Sequence, residues 1–577
     1  MSGISAAIFE SAGKRTEHWI PGTYSRSNNV SSAGGVNAGN LVIMGKSTGG
    51  EPGKLLAFST LAEAKETLLG GDLLTAVGHA FTASPDYVPQ RVYAMRVNNG
   101  TQAEFSLKNN GTEILKLKSS IWGVKGNQVK IKKTSNDGKI TIDMSYQGNE
   151  VSVSGIEKKS LSIVYTGESG EANITITNDS CSLVSGSDTL NIDFDSCEYI
   201  SDLVSRINEY RNADGDAIYS ANLLDYSANV STKELDNVNG VSISNKEDTP
   251  TVLKSNLQAL IEALSTLRYI GSVELSDGVA RVIPDDNNVY QYFEGATDGD
   301  YTVLEWVDAL EKLETEDVQI IATPSTDEDV QRLIANHCIS MSSTENRKER
   351  TCVLGGKLNE TVDQAVTKAA GFNSKYVSYI CDTAIAADPL TGKAVTIAPS
   401  FLACKIAGME SGMAVNTALT NKSISVLGFA EKRRRTEYEK MIKGGIMPCG
   451  ENEEGILVVI RAMTTYQSDD LMSCERSMVR EDLFMNRDLR QRFNPGIGGV
   501  GSVSPATVID ELNNAAKVWA EQGYIVPDDQ GRNVWNVHVT VNGDKTYLEF
   551  DRYLAAPRNF VFATANNYVY SSAAVAL

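Results

Sequence analysis

Residues 318–381 contain, in one-letter code, VQIIAT (318–323), TDEDVQRLIANHCIS (326–340), TCVLGG (351–356), ETVDQAVTKAAG (360–371) and YVSYIC (376–381). The first, third and fifth pieces are short apolar runs without alternation, which suit strands buried on both faces. The second and fourth have helical periodicity and polar or acidic starts. Strand–helix–strand–helix–strand in this order predicts a mostly parallel sheet covered by helices.

The same texture occurs upstream. LVIM (41–44) is another buried-strand run, and Thr60 with Glu63 forms a capping-box pattern ahead of a short helix. Leu73, Val77, Ala80 and Phe81 give the next helix one apolar face, and RVYAMRV (91–97) closes the piece as a strand. The turn after Met44 imitates a phosphate loop, because Gly45-Lys46-Ser47 is how G-x-x-x-x-G-K-[ST] ends. Counted back, the first glycine would fall at Asn40, and Gly39 is one residue too far. Leu41–Met44 also forms a strand where the pattern needs a loop. Pro52 and the nearby glycines oppose the helix that should start at the Lys-Ser step. A glycine-rich turn is expected here, with no nucleotide.

Between 101 and 195 the period changes to two. QVKIKK, KITIDM, LSIVY and NITIT alternate, with Asn110-Gly111, Asp137-Gly138 and Gly148-Asn149 as hairpin turns. Downstream, GILVVIRAMTTY (455–466) reads as a strand, and VSPATVIDELNNAAKVWAEQG (503–523) as a helix with Val508, Leu512, Ala515, Ala516 and Trp519 on one face. The alternating NVWNVHVTVNG, TYLEFDRYL and RNFVFATANNYVY finish the chain. Residues 1–35 are small and polar, as in an extended arm and linker. The expected organisation is an arm and linker (1–35), the first part of an α/β core (36–100), an inserted β domain (101–195), a second inserted or peripheral α/β segment (196–290), the main α/β domain (291–460) and a C-terminal domain (461–577). The fold class is an α/β core, its sheet mostly parallel, with an inserted all-β sandwich-like domain and extended terminal β arms.

With 41% hydrophobic residues the chain can bury real cores, and its net charge of −20 repels phosphate, which argues against nucleic-acid binding. Such charge suits a protein kept dispersed at high concentration before a triggered assembly. No run approaches about 18 apolar residues, and MSGISAAIFESAGKRTEHW lacks a signal-peptide core. The eight cysteines are scattered without a CxxC pair, as expected for reduced, buried thiols of a cytoplasmic protein.

Catalytic patterns fail on context. GIGGVG (496–501) fits G-x-G-x-x-G, but RQRFNP precedes it instead of a strand, and Pro505 separates it from the next helix. GMESG (408–412) has its serine one place off the hydrolase elbow. The histidines are His18, His79, His337 and His538, and none belongs to a metal or triad motif. The run Lys432-Arg433-Arg434-Arg435, flanked by Glu431, Glu437 and Glu439, supports two readings: a solvated, internally paired face, or a contact with an acidic patch on another chain.

What remains resembles contractile-tail sheath proteins, the polymer around the rigid tube of contractile phages, bacteriocins and secretion devices. The N-terminal block 40–81 with the strand holding Arg91 and Arg96 is similar to the family's opening, although its "VRV" strand here reads AMRV. IWGVKGNQVKIKK (121–133) resembles the G-x-x-G-N segment that opens its β insertion. VVIRAMTTYQSDD (458–470), VREDLFMNRDLRQRF (479–493), the helix at 505–523 and the alternating end resemble its R-x-x-T-T strand, helical segment and terminal strands.

The resemblance implies a non-enzymatic structural subunit with no cofactor. It would be a virion-tail component, assembled in the host cytoplasm as a helical homopolymer and contracting without nucleotide. Its implied partners are its own copies, the tail tube protein, and baseplate and tail-terminator proteins, with no direct contact to nucleic acid or membrane. Terminal arms that add strands to neighbouring copies would be about 1–24, anchored by Ile4, Ile8 and Phe9, and about 558–577, with Phe560, Phe562, Tyr568 and Tyr570. Asn513, Asn514 and Lys517 would face the tube. The long middle, about 101–290, exceeds shorter members and would protrude outward. The competing readings are a non-contractile capsid or surface-layer protein, and an α/β enzyme with a β accessory domain.

Overall fold

The computed structural model of the chain describes residues 7–11, 14–18, 39–168, 171–244, 249–497 and 504–567. Its central sheet is built from β1 (Leu41–Gly45), β2 (Leu55–Phe58), β3 (Val92–Arg96), β4 (Ile320–Ala322), β5 (Thr351–Gly355) and β6 (Val377–Ile380). The spatial order is β6-β5-β4-β1-β3-β2, parallel throughout except for β2 at the edge, which runs antiparallel to β3.

Successive side chains of a strand point to opposite faces, so each apolar run feeds two cores. Leu41, Ile43, Ile320, Ala322 and Val353 pack on one side, under α1 (Leu61–Leu68), α2 (Asp72–Phe81) and, from later in the chain, the helix Pro399–Ser411. Val42, Met44, Ile321, Cys352 and Leu354 pack on the other, under α3 (Val303–Leu313), α4 (Glu328–Met341) and α5 (Val362–Phe372). The caps follow the sequence. Asp327 accepts the first amides of α4, Thr361 and Gln364 form a capping box on α5, and Thr60 caps α1 while Glu63 reaches back to the Ser59 amide. We number the helix Pro399–Ser411 α6. It crosses α2 so closely that a Cβ on Gly408 would lie 2.6 Å from the Ala80 carbonyl oxygen.

Residues 102–292, between β3 and β4 in sequence, make two units that each pair two small sheets with a helix. In one, strands 102–109, 112–122 and 270–275 form one sheet and 130–136, 139–146, 149–156 and 291–292 the other. They share an apolar cluster with helix 256–266. In the other, strands 159–165, 219–223 and 251–254 face strands 172–176, 180–185, 188–193 and 238–242, with helix 200–209. Sheet pairing therefore runs across residue 195, where the sequence suggested a boundary. The alternation ends there, but the partners of the earlier strands come from the later segment. Asn110-Gly111 and Asp137-Gly138 make left-handed turns as expected. The third turn is Gln147-Gly148, one residue earlier than read from the sequence.

The helix Arg476–Phe493 (α7) links this body to a C-terminal unit. That unit holds α8 (Pro505–Glu521), the strand pair Ile525–Val526 with Tyr553–Leu554, and the hairpin Trp535–Asn542 with Lys545–Asp551. All five residues predicted on the apolar face of α8 are buried. The expected strand 455–466 is shorter, Leu457–Val459. After it the chain is irregular, because Thr464 and Thr465 are fully buried and hydrogen-bonded. The Thr465 amide donates to the Val377 carbonyl (2.8 Å), and the Met463 carbonyl accepts from the Ser378 hydroxyl (2.7 Å). Residues 555–567 carry no strand where one was expected.

Gly408→Val should cost about 1–3 kcal/mol by forcing α2 and α6 apart. Chemical denaturation of the variant against the unchanged chain measures this.

Candidate interaction surfaces

The loop after β1 is closed to phosphate. The amides of Ser47 and Thr48 are spent on Asn98 Oδ1 (3.1 Å) and the Gly70 carbonyl (3.2 Å), and the Lys46 carbonyl accepts from the Leu73 amide (2.9 Å). Beside it, Arg96 is fully buried and donates to the carbonyls of Asn98 (3.1 Å), Gly50 (3.0 Å) and Asp298 (2.8 Å). In open α/β sheets, ligands enter at the carboxyl ends of the strands where the chain switches direction. Here Arg96 and the 298 loop fill that place. A groove of about 340 Å³ between α4 and α5 is lined by Glu328, Arg332, Lys357, Glu360 and Lys368. Glu360 in it is already engaged by Lys368 (2.6 Å) and the Tyr379 hydroxyl (2.8 Å).

Among the described histidines, His79 is buried in α2, where burial and then Lys405 push it down to about 4. His337 contacts Arg350 (2.7 Å), and His538 stands on the exposed hairpin. The eight cysteines are free thiols, and no group of three or more His, Cys, Asp or Glu among the described residues could hold a metal. No helix among them is long and apolar enough to cross a membrane.

The densest polar chemistry lies where α7 meets the sheet. Arg476, 1% exposed, grips Glu410 of α6 with Nε and Nη2, both at 2.7 Å. The same guanidinium donates to the Cys352 carbonyl (3.1 Å), the Ser378 hydroxyl (2.9 Å) and the Thr351 hydroxyl (3.1 Å). Arg480 adds a second cation at 3.6 Å from Glu410. Although burial raises the Glu410 carboxyl, these two arginines bring its net shift below the ordinary range. One turn on, Glu481 is 1% exposed and both carboxyl oxygens lack hydrogen-bond partners among the described residues. Burial lifts it to about 8 against the opposing pull of Arg480, with Glu475 adding to the rise. Sequence inspection missed this cluster. Glu410 sat inside the failed GMESG pattern, and Arg476 begins a helix that looks polar throughout.

The sequence-predicted residues fall in separate places. Asn513, Asn514 and Lys517 are exposed together on α8, and Lys517 pairs loosely with Glu521 (3.9 Å). Phe560 and Phe562 are exposed with Val561 between them, and their rings stack at 6.3 Å. Tyr568, Tyr570 and Ile4 lie outside the described residues. Ile8 and Phe9 lie in the strand Ala7–Ser11, which pairs antiparallel with Lys14–His18, so this part of the expected arm is a hairpin closed on itself. In the basic run, Lys432 and Arg435 are open, paired among the described residues only with Glu451 (3.4 Å) and Glu439 (3.2 Å), and Arg434 is exposed at the N-cap of helix 435–443. Arg433 differs. Its side chain is 7% exposed and bound to the buried Asp382 at 2.6 Å, so it braces the end of β6 and offers nothing to another chain.

Residues 299–465, from just before α3 through the buried Thr464-Thr465 pair, match the phage tail sheath protein central domain. The protein family that this domain defines is one of structural tail proteins. A tail sheath protein of Bacillus phage SP01 is 22% identical over 581 residues, covering 96% of each chain. The crystal structure of the sheath tail protein from Desulfitobacterium hafniense has the same fold, with TM-score 0.53 at 14% identity over 92% of this chain and all of that one. The corresponding protein from Listeria innocua gives 0.54 at 12% identity over 90% of this chain and 93% of that one. Residues 299–465 thus match the sheath central domain, and nearly the whole chain is similar in sequence and fold to phage tail sheath proteins, which are structural components of the virion tail.

A group whose folded pKa is raised contributes stability that is complete below its unfolded value and is lost as pH rises through the folded one. For Glu481 that window runs from the ordinary glutamate value of 4.5 to about 8. Thermal unfolding followed across this range should show Tm falling toward pH 8, and Glu481→Gln should flatten that fall.

Proposed function

We propose that the chain polymerises as a helical sheath around a tail tube and contracts to drive the tube through a cell envelope, with neighbouring copies linked by their terminal segments. The C-terminal segment is the observation that carries this. Residues 560–567 are exposed, outside any strand, and begin with the apolar run Phe560-Val561-Phe562. A strand donor needs such an extended segment with its main chain available. An acceptor is present as well. In the hairpin Trp535–Asn542 with Lys545–Asp551, each strand has one neighbour among the described residues, so both outer edges are open. Val541 and Tyr547 on it are exposed.

The N-terminal hairpin 7–18 is the second link, with Ile8 and Phe9 in its first strand. Asn513, Asn514 and Lys517 make the tube contact from the polar face of α8. Lys432, Arg434 and Arg435 are the cations open to an acidic neighbour, a plausible complement in polymers of a chain with net charge −20. The two units between 102 and 292 form an insertion that projects outward. Baseplate and terminator proteins would meet the ends of the polymer. The closed loop after β1 fits a machine whose energy is stored in assembly and not in a nucleotide.

Deletion of residues 1–20 should leave a folded monomer, judged by circular dichroism, that makes no tubes in negative-stain micrographs. Normal tubes from that variant would contradict the N-terminal link. Tubes of the full chain should form and contract equally with and without ATP.

A further inference from the structure

The C-terminal segment is held to its own body first at Ala555 and then at the adjacent residues Asn559 and Phe560. The Ala555 amide donates to the Tyr524 carbonyl (3.0 Å), and beyond it no main-chain hydrogen bond to another described residue holds 556–567. Then Asn559 Nδ2 donates to Glu475 Oε2 (3.0 Å), and the Arg461 guanidinium lies over the Phe560 ring at 5.5 Å. The receiving site is built into the body. Glu475 is fully buried at the start of α7 and bridges to Met463, and Arg461 opens the segment that ends in the buried threonines. It is also incompletely filled, since Glu475 Oε1 and Arg461 Nε have no hydrogen-bond partner among the described residues, and Arg461 Nε reaches Glu475 Oε2 only as a long ion pair at 4.0 Å.

We propose that this contact is an autoinhibitory latch: in the free subunit, Glu475 and Arg461 park the Asn559–Phe562 segment on its own body and keep it from a second copy of the chain. The inference rests on the reading that this segment links copies. The latch holds the side chain of Asn559 and the ring of Phe560 while leaving the main chain unpaired. It therefore restrains the donor without satisfying it. A neighbour offering a strand edge supplies the missing main-chain bonds and wins the exchange, whereas a lone subunit stays closed. Parking lowers the fraction of subunits competent to add, which raises the concentration needed for polymerisation in proportion.

Two variants weaken the latch from opposite sides, Asn559→Ala on the segment and Arg461→Gln on the body. Each is compared with the unchanged chain in two assays without tube or baseplate: limited proteolysis of the monomer with trypsin, which cuts after Arg558, and the critical concentration for polymerisation by sedimentation. The expected result is faster cleavage after Arg558 in both variants and a critical concentration lower by up to about tenfold, the size of one lost hydrogen bond or cation–π contact. Unchanged cleavage shows that the contact does not hold the segment and overturns the latch. A critical concentration that is unchanged or raised overturns its inhibitory role. If the unchanged chain forms no polymer at high concentration or on a tube, the sheath reading fails instead.

Discussion

The bidentate grip of Arg476 on Glu410 is the constraint around which the molecule is organised. Taking two charges out of water costs several kcal/mol per ion, and the pair repays that cost only with good geometry and satisfied donors. Here the guanidinium makes five hydrogen bonds, reaching α6, β5 and β6 at once. A fork of this kind fixes direction as well as distance, so α7 leaves the sheet at one angle. Farther along the same helix, Arg487 pairs with Asp317 and Arg490 with Glu349. Interleaved with these arginines, Phe484, Met485 and Leu489 pack into the C-terminal apolar cluster, which is separate from the two cores of the sheet. The C-terminal unit is thus attached to the body through a charged helix rather than through shared apolar packing. Its hairpin, tail and α8 are held in a defined pose while their outer surfaces stay free for other chains.

The parts of the fold legible in sequence were those governed by local rules. Buried strands appeared as apolar runs, α8 as a five-residue stripe that is buried as expected, and hairpin turns as residues that tolerate positive φ. What escaped depends on partners distant in the chain. Residue 195 looked like a boundary because alternation stops there, yet strand 112–122 is completed by strand 270–275. Arg433 looked like one of four surface cations, and only the fold brings Asp382 to it. The segment 460–466 looked like a strand because its composition is right, but the Thr464 and Thr465 hydroxyls donate to the main-chain carbonyls of Ser473 and Ser374. Of the interaction residues, exposure could be anticipated for α8 and for Phe560 and Phe562. The receiving site formed by Arg461 and Glu475 could not, since neither residue carries a local signal.

The phosphate-loop imitation after β1 illustrates why context decides a motif. The same glycines that suggest a nucleotide cradle allow the chain to turn back onto the 68–73 segment, where the Gly70 carbonyl takes the Thr48 amide, while Asn98 Oδ1 takes that of Ser47. The neighbouring strand end is occupied by Arg96, bound to three carbonyls. Chemistry in this chain is therefore spent internally. The C-terminal unit by contrast presents exposed apolar side chains such as Val541, Tyr547, Phe560 and Phe562, and a two-stranded hairpin whose strands each have one neighbour among the described residues.

A cryo-electron-microscopy reconstruction of the polymer formed by the full chain tests this account most directly. The account predicts a hollow helical tube in which residues 559–567 have left Arg461 and Glu475 and run as a strand along the 535–551 hairpin of a neighbouring copy. Segments that stay on their own subunit, with copies joined through other surfaces, would contradict it.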